Sequence, residues 1–330
     1  MSNKSFGGRF FMALPVIPVF FAVDDNYAPF LGAALESITQ NASRKYIYNL
    51  HVLTEGLNEQ NLARLSAYND ENFNVIFNDV AEGIRAMSNR IHVRDYYTKA
   101  TYYRFLIADM FPEYDRGLYL DCDIIVNGDI SLLYNCPLGE RFAAVMREEV
   151  MTEYDVYGAY VETVLGIDRA EYFNAGVLVL NLDLMRRVDI QARLMDIMKE
   201  YTFTVTQDED YLNVLFHGNV LHLPQHWNKN SFPGCEDEND PAKIVHYKIN
   251  WKPWHYDGVG YEKDFWHYAQ QTEHFEDILK IKENYSKAEM ERDAKQFEQL
   301  AQTARRDTRA AQADGYALPL KYTIKIPAEV

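Results

Sequence analysis

Runs of apolar residues alternate with amphipathic stretches along the first third of the chain. The apolar runs at residues 16–23, 48–54 and 73–77 have the length and composition of buried strands. Residues 28–41 and 58–68 lie between them and have the pattern of helices. Strands that alternate with helices are typical of α/β proteins, so the pattern predicts a parallel sheet with crossover helices.

The same pattern continues to about residue 253. A helix is predicted at residues 98–110, which end before Pro112. The continuous apolar run at 118–126 predicts a strand that is buried on both faces of a sheet. Two more strands and two more helices are predicted at residues 142–146, 176–181, 190–201 and 208–216.

After residue 253 the composition changes. Residues 287–311 form a long polar stretch, rich in Ala, Gln, Glu and Arg, that predicts a mostly exposed helix. We therefore expect a disordered start at residues 1–9, one large α/β domain at 10–265 and a mainly helical C-terminal extension at 266–330.

Two acidic residues interrupt the apolar run at 118–126. Asp121 and Asp123 flank Cys122, and carboxylates in a buried strand are costly unless a charge compensates them. Side chains at i and i+2 of a strand point to the same face, so both carboxylates can reach one cation. A hard divalent cation that also binds substrate phosphates would fit this placement. The alternative is a turn at the strand end with both acids in solvent, because Asp-x-Asp alone is a common pattern.

Six segments in a fixed order resemble a known family. They are residues 21–27, 101–106, 120–127, 173–177 and 208–213, and His246-Tyr247 followed by Lys252-Pro253-Trp254. In this order and spacing the chain resembles glycosyltransferase family 8, which includes bacterial lipooligosaccharide galactosyltransferases and glycogenin. The resemblance implies a GT-A type, Rossmann-like nucleotide-sugar-binding fold with a mixed, mainly parallel central sheet and a C-terminal helical appendage. It makes residues 10–265 the catalytic domain.

The resemblance also implies a metal site. Asp121, Asp123 and His246 match the family's ligands, since the ligand histidine precedes Lys-Pro-Trp at this spacing. One imidazole with two carboxylates suits Mn²⁺, and Mg²⁺, which prefers oxygen ligands alone, is a weaker alternative. The net charge of −16 agrees with this expectation, because an acidic protein that binds an anionic nucleotide sugar needs a local cation.

A further group of residues matches the family's nucleotide site. Asp24 can accept a hydrogen bond from a base N–H, and Tyr27 offers a ring face to the nucleotide. The alternative is ordinary helix capping by Asp25 or Asn26. The residues that the resemblance assigns to the nucleotide are Ala22, Asp24, Asn26, Tyr27 and Cys122.

The resemblance assigns binding of the diphosphate to the closing segment, residues 246–254. Lys252 matches the lysine that neutralises the diphosphate. The family usually has glycine three residues after the ligand histidine, where the backbone approaches phosphate, and here that residue is Ile249. We expect the side chain of Ile249 to alter the closing loop.

The donor sugar is assigned to a last group, which comprises Arg104, Asn174, Ala175, Asp208 and Glu209. Arg104, Asp208 and Glu209 are the candidate catalytic groups, although Arg104 alone would also fit a structural ion pair. Glu209 stands where many relatives have Gln. It is either a carboxylate that stabilises positive charge or attacks the anomeric carbon, or a tolerated variant in an enzyme that retains configuration by front-face attack.

Together these matches predict a retaining hexosyltransferase. The expected donor is UDP-glucose or UDP-galactose, and the expected acceptor is a glycan, glycolipid or glycoprotein. The main alternative is a non-catalytic UDP-sugar-binding scaffold or sensor on the same fold. A nucleotidyltransferase would carry a Gly-rich, basic loop after the first strand, where this chain has Asp24-Asp25-Asn26-Tyr27. Several aromatic residues either bind the acceptor or pack in the core: Trp251, Trp254, Tyr256, Tyr261 and Trp266.

Charge and composition also indicate where the protein is located and which partners are excluded. The acidic net charge argues against a nucleic-acid partner. Three cysteines form no paired framework, which fits a reducing compartment. The apolar residues 10–23 are too short for a membrane span and contain Pro15 and Pro18. We expect a cytoplasmic protein without a transmembrane segment, and peripheral membrane contact through residues 287–330 is a less favoured alternative.

Overall fold

The computed structural model describes residues 13–87, 99–313 and 318–326, and the predicted disordered start at 1–9 lies outside these residues. The strands are β1 Val16–Ala22, β2 Ile47–Thr54, β3 Phe73–Asp79, β4 Arg116–Leu120, β5 Ile124–Val126, β6 Ala143–Arg147, β7 Phe173–Asn181, β8 Val220–His222, β9 Lys229–Asn230 and β10 Ile244–His246. A central seven-stranded sheet has the order β3-β2-β1-β4-β7-β6-β8. Only β7 runs antiparallel to its neighbours, β4 and β6, so the prediction of a mixed, mainly parallel sheet is confirmed.

The prediction of one continuous strand at 118–126 is wrong. The chain leaves the central sheet after Leu120 and enters a second, three-stranded sheet at Ile124, where β5 pairs with β10 and β10 pairs with β9. Both strands are buried, so the apolar run gives no sign of the break. The backbone of the break is fixed at both ends, because Asp121 N–H donates to the Gly176 carbonyl (2.8 Å) and Tyr247 N–H donates to the Asp123 carbonyl (2.8 Å).

Helices cover both faces of the central sheet. They are α1 Ala28–Asn41, α2 Glu59–Ser66, α3 Ala81–Met87, α4 Ile107–Met110, α5 Ile130–Tyr134, α6 Glu149–Glu153, α7 Asp155–Tyr160, α8 Leu182–Arg187, α9 Ile190–Glu200, α10 Asp208–Phe216, α11 Glu262–Ala269, α12 Phe275–Asn284 and α13 Lys287–Ala313. Neighbouring residues of β1 show the two-sided burial, since Phe20 and Phe21 pack in different hydrophobic clusters. The remaining predicted helices and strands agree with the structure to within three residues at each end.

The segment predicted as one helix at 98–110 differs from that prediction. Residues Lys99–Phe105 form a 3₁₀ helix, and an α-helix begins only at Ile107, while Thr98 lies outside the described residues. The four consecutive residues from Tyr102 to Phe105 are all buried, so neighbouring elements pack around this segment. Tertiary packing therefore stabilises a local geometry that helix propensity alone does not favour.

The C-terminal helices pack on the body of the protein. Helix α11 extends across the predicted boundary at residue 265, and the division into a domain and an extension stays a prediction. Helix α13 buries Leu300, Ala304 and Ala311 in the same hydrophobic cluster as α7. Among the described residues, no helix combines the length and the apolar composition that crossing a bilayer requires.

Candidate active site

One cavity opens where β1, β4, β7 and β10 meet, and it contains nearly all of the predicted site residues. Its lining includes the two acids Asp121 and Asp123 and the histidine that ends β10, His246. Ligand sites commonly lie at the carboxyl ends of strands in α/β proteins, as β1 and β4 illustrate here. Of the residues assigned to the donor and the metal, Asn26 alone does not line the cavity.

Two carboxylates and one imidazole converge in this cavity. His246 Nε2 lies 3.2 Å from Asp123 Oδ1 and 3.7 Å from Asp121 Oδ2. One ligand atom from each of the three residues lies within 4.8 Å of the other two. A set of two oxygens and one nitrogen at this spacing fits a divalent cation such as Mn²⁺.

The other oxygen of each carboxylate is held by a cation of the protein. Asp121 Oδ1 accepts hydrogen bonds from Tyr119 Oη (2.9 Å) and Arg104 Nη2 (3.2 Å). Asp123 Oδ2 accepts one from Lys252 Nζ (2.5 Å). These contacts leave Asp121 Oδ2 and Asp123 Oδ1 turned toward His246. Burial alone would raise the pKa of Asp123, but Lys252 and His246 outweigh burial and hold this pKa below its usual range.

Gly176 has no side chain, and this leaves the space that His246 and Asp121 occupy. A Cβ atom on Gly176 would collide with His246 Cε1 and with Asp121 Oδ2, and it would lie 3.1 Å from Asn174 Oδ1. The backbone of β7 therefore approaches the site more closely than any side chain permits. This requirement supports the fit of the three residues to a bound ion.

Lys252 lies between the metal ligands and the nucleotide side of the cavity. It is buried, and its Nζ donates to the Tyr247 carbonyl (2.7 Å) in addition to Asp123. The rings of Tyr27 and Trp254 flank the ammonium at 5.7 Å and 5.3 Å. Trp254 is 1% exposed and packs in the core, and the other aromatic residues predicted near the acceptor do not line the cavity: Trp251, Tyr256, Tyr261 and Trp266.

The acidic loop after β1 has a partly structural role. Asp24 Oδ1 accepts hydrogen bonds from the backbone N–H groups of Asn26 and Tyr27, both at 3.0 Å. Asp25 Oδ1 accepts from Asn58 and thereby links this loop to the start of α2. The alternative of capping by Asp25 or Asn26 is wrong, because α1 begins after Tyr27 without a side-chain cap. One oxygen of Asp24 is used by the loop backbone, and the base contact predicted for Asp24 stays a prediction.

The residues assigned to the donor sugar lie on the opposite side of the metal ligands. Arg104 is buried, with its Nε 3.3 Å from Asp208 Oδ2 and its Nη1 bonded to the Ala175 carbonyl. Glu209 Oε2 accepts hydrogen bonds from Ala175 N–H (2.8 Å) and Asn174 Nδ2 (3.0 Å). The first residues of α10 and the first residues of β7 are thereby held together.

Burial raises the pKa of the two acids among the residues assigned to the donor sugar, Asp208 and Glu209. Burial raises the pKa of Asp208 to about 6, although Arg104 opposes the shift. Burial, and next the carboxylate of Glu148, raise the pKa of Glu209 well above its usual range.

Ile249 adopts a strained backbone conformation. Its φ is +58°, in the left-handed region that glycine occupies readily and that a β-branched residue rarely adopts. The expected cost is about 1–2 kcal/mol. The side chain of Ile249 lines the cavity together with Val150, Met151 and Leu300, and these four form an apolar wall.

Several lining residues were missed by sequence reasoning. Tyr119 lies two residues before Asp121, and Lys248 lies inside the closing segment, so their positions were a usable signal. Glu148 and Leu300 carry no local signal, because each reaches the cavity only through the fold. The full set that was not assigned is Ala100, Thr101, Tyr119, Glu148, Val150, Met151, Gly176, Thr206, Lys248 and Leu300.

Comparison with known proteins agrees with this geometry. The family model described as "Glycosyl transferase family 8" matches residues 18–258. The chain is 25% identical over 285 residues to "General stress protein A" of Bacillus subtilis, covering 78% of this chain and 94% of that protein. It is 27% identical over 266 residues to "Lipopolysaccharide 1,2-glucosyltransferase" of Escherichia coli K12, covering 74% and 76%. It is also 27% identical over 252 residues to "Lipopolysaccharide 1,3-galactosyltransferase" of Salmonella typhimurium, covering 71% and 72%.

Solved structures share the fold. The galactosyltransferase LgtC in complex with donor and acceptor sugar analogs superposes with a TM-score of 0.67 at 26% identity, covering 78% of this chain and 96% of LgtC. The WbbM bifunctional glycosyltransferase gives a TM-score of 0.71 at 26% identity, covering 85% of this chain and 53% of WbbM. The expected GT-A fold and the family resemblance are both confirmed.

We predict that Gly176→Ala weakens Mn²⁺ binding, because the added methyl group pushes Asp121 and His246 apart. Overpacking of this kind costs about 1–3 kcal/mol, which corresponds to roughly tenfold or more in affinity. Titration with Mn²⁺, followed by the electron paramagnetic resonance signal of the free ion, measures the change. Gly218→Ala is the control, because that glycine has a positive φ but open space around its Cβ position. Equal Mn²⁺ affinity in both variants would contradict the role of Gly176.

Proposed function

The chain belongs to glycosyltransferase family 8, and we propose that it is a retaining, metal-dependent hexosyltransferase. The donor is UDP-glucose or UDP-galactose, and the acceptor is a hydroxyl group of a glycan, glycolipid or glycoprotein. The observation that carries the proposal is the convergence of Asp121, Asp123 and His246 beside Lys252, in one cavity with the sugar-side residues.

The metal ligands and Lys252 serve the departing diphosphate. Asp121, Asp123 and His246 would hold a divalent cation, with Mn²⁺ favoured over Mg²⁺ because one donor is a nitrogen. Such a cation neutralises charge on the leaving group. Lys252 adds a second positive charge, and its buried position between Tyr27 and Trp254 limits competition from water.

The nucleotide side of the cavity supports recognition of uracil and ribose. Asp24, Tyr27, Ala22 and Cys122 all line it. One oxygen of Asp24 is used by the backbone, so the second oxygen is the one assigned to the base N–H. Asn26 lies outside the lining, and its proposed contact with ribose would need the exposed loop to close over the nucleotide.

The sugar side holds the hexose between Arg104 and Glu209. Arg104 donates to Asp121 and also contacts Asp208, so one guanidinium links the metal ligands to the sugar residues. Glu209 is positioned by two N–H donors of Asn174 and Ala175. We assign Glu209 to positioning rather than to covalent attack, because it lies in the first turn of α10, where an acid is favourable without any catalytic need, and its Oε2 is held by N–H donors of Asn174 and Ala175.

The acceptor is assigned to the apolar wall formed by Val150, Met151, Ile249 and Leu300. Pyranose rings present C–H faces that pack well against apolar side chains. The similarity to lipopolysaccharide glucosyl- and galactosyltransferases supports a surface glycan as the acceptor and leaves both hexoses as donors. We place the reaction in the cytoplasm, where nucleotide sugars are made.

The metal-dependent reaction is tested by hydrolysis of UDP-glucose and UDP-galactose with and without chelator. We predict that chelation stops release of UDP and that Mn²⁺ restores it. Asp121→Ala, Asp123→Ala and His246→Ala should each lower turnover by roughly 100-fold or more, since each removes an assigned ligand. Asp115→Ala is the matched control, because Asp115 is an exposed acid at the other end of β4. Full turnover in chelator excludes the metal role, and UDP binding without any turnover favours the scaffold alternative.

Glu209→Gln tests the role of the acid on the sugar side. If Glu209 only positions the donor, the amide preserves its shape, and loss of one hydrogen bond worth about 1 kcal/mol lowers kcat by only about fivefold. A covalent nucleophile would lose about 10⁴-fold or more. The anomeric configuration of the product, read by NMR, should be retained in both proteins. A glycosyl group trapped on Glu209 would contradict the positioning role, and an inverted product would contradict the retaining mechanism.

Leu300→Ala tests the apolar wall. We predict that the KM for a glycan acceptor, identified by screening, rises by roughly tenfold through the lost apolar contact. Hydrolysis of UDP-sugar in the absence of acceptor should not change. Phe297→Ala is the control, because this residue of the same helix is 40% exposed and does not line the cavity. An equal loss of acceptor-free hydrolysis in Leu300→Ala would indicate a general structural effect instead.

A further inference from the structure

We propose that Asn174 and Asn228 form an amide relay that fixes the tautomer of His246 for metal binding. The inference rests on the proposed metal-dependent function and extends it to a residue outside the assigned site, Asn228. The relay begins at the buried side chains of Glu148 and Glu209, passes through the two asparagine amides, and ends at the imidazole of His246. For each of the two amide groups, only one orientation pairs donors with acceptors at all neighbouring atoms.

The orientation of Asn174 is set at both ends of its amide. Its Nδ2 lies 2.8 Å from Glu148 Oε2 and 3.0 Å from Glu209 Oε2. Glu209 Oε2 also accepts from Ala175 N–H, so this oxygen is an acceptor whichever protonation state Glu209 has. Asn174 Oδ1 accepts from Gly176 N–H at 3.0 Å. If the amide of Asn174 were flipped, its oxygen would face the carboxylate oxygens of Glu148 and Glu209, and its NH₂ group would face the N–H of Gly176.

Asn174 in turn fixes the orientation of the Asn228 amide. Asn228 Nδ2 donates to Asn174 Oδ1 at 2.8 Å, so the remaining oxygen, Oδ1, must point toward His246. Asn228 is completely buried, which leaves no room for water to replace either partner. The backbone of Asn228 is also held, because its carbonyl accepts from Gln225 Nε2 at 3.0 Å.

Asn228 Oδ1 lies 3.0 Å from His246 Nδ1. An amide oxygen only accepts, so Nδ1 carries the hydrogen. Nε2 is then the nitrogen left to give its electron pair to a bound cation, and it faces Asp123 Oδ1 at 3.2 Å and Asp121 Oδ2 at 3.7 Å. The relay thus presents an electron pair, together with two carboxylate oxygens, to one point in the cavity. This is the arrangement that a metal-ligating histidine requires.

A buried ion pair supports the start of the relay. Lys248 Nζ lies 2.5 Å from Glu148 Oε2, and Glu148 Oε1 accepts from Val150 N–H at 3.1 Å. Both side chains are at least nine-tenths buried. Without Lys248 the charge of Glu148 would be uncompensated beside Glu209, which is strongly unfavourable in a buried site. The ion pair therefore holds Glu148 Oε2 in place as the acceptor that orients Asn174.

The tautomer itself is measurable on the unmodified, metal-free protein. Heteronuclear NMR of the imidazole nitrogens detects whether Nδ1 carries a hydrogen. The His246 signals are assigned by their disappearance in His246→Gln. The relay requires the hydrogen on Nδ1. An Nδ1 without a hydrogen would overturn the proposal without any reference to metal binding or catalysis.

Mn²⁺ affinity provides the second measurement. Asn228→Ala removes the acceptor of Nδ1–H and should weaken Mn²⁺ binding by about 10–100-fold, the usual effect of losing a partner of a ligating histidine. Asn72→Ala is the matched control, because Asn72 is an equally buried asparagine whose amide donates to the carbonyls of Arg44 and Tyr46 instead. Both variants are first compared by their unfolding temperatures.

The possible outcomes test the relay and the metal-dependent function separately. Unchanged Mn²⁺ affinity in folded Asn228→Ala would overturn the relay. No Mn²⁺ binding by the wild-type protein would overturn the metal-dependent function, and the NMR result would still decide the tautomer. We expect Mn²⁺ binding by the wild-type protein that is weakened in Asn228→Ala and kept in Asn72→Ala, with the hydrogen on Nδ1.

Discussion

The active site depends on the burial of two carboxylates, Asp121 and Asp123, in a break between two sheets. Buried charges are costly unless other charges and hydrogen bonds satisfy them. Here Arg104 binds one carboxylate, Lys252 binds the other, and His246 lies beside the free oxygen of each. The surrounding elements bring these partners together: a 3₁₀ helix carries Arg104, β10 ends at His246, and β7 contributes a glycine that leaves space for the ligands.

Two residues with unusual backbone conformations flank the same cavity. Ile249 has a φ of +58°, and Gln207, directly before Asp208, has a φ of 55° with a ψ of −110°. Non-glycine residues in such regions persist only where the surrounding structure compels them, and they are frequent at ligand-binding sites. At Gln207 the strain places Asp208 and Glu209 at the start of α10. At Ile249 it turns an apolar side chain toward the proposed acceptor side.

Much of this protein was predictable from the order of its residues. The alternation of apolar runs and amphipathic stretches predicted the α/β class and most of the strands and helices. Matches at Asp121, Asp123, His246 and Lys252 predicted the chemistry of the site before any geometry was known, and those residues do converge. Local patterns succeed here because strand and helix periodicity, like the residue types that metal and phosphate require, are properties of short segments.

Only the tertiary structure decided how these segments combine. The sequence alone determined that acids interrupt a buried apolar run, but an apolar run has the same composition whether it is one strand or two strands of different sheets. Glu148 and Leu300 line the cavity because strands and helices distant in sequence pack together, and Leu300 lies beyond residue 258, where the family match ends. The tautomer of His246 is likewise set by Asn228 and Asn174, which lie 18 and 72 residues away in sequence. Burial, long-range hydrogen bonds and backbone strain depend on three-dimensional neighbours, and for this reason no local pattern encodes them.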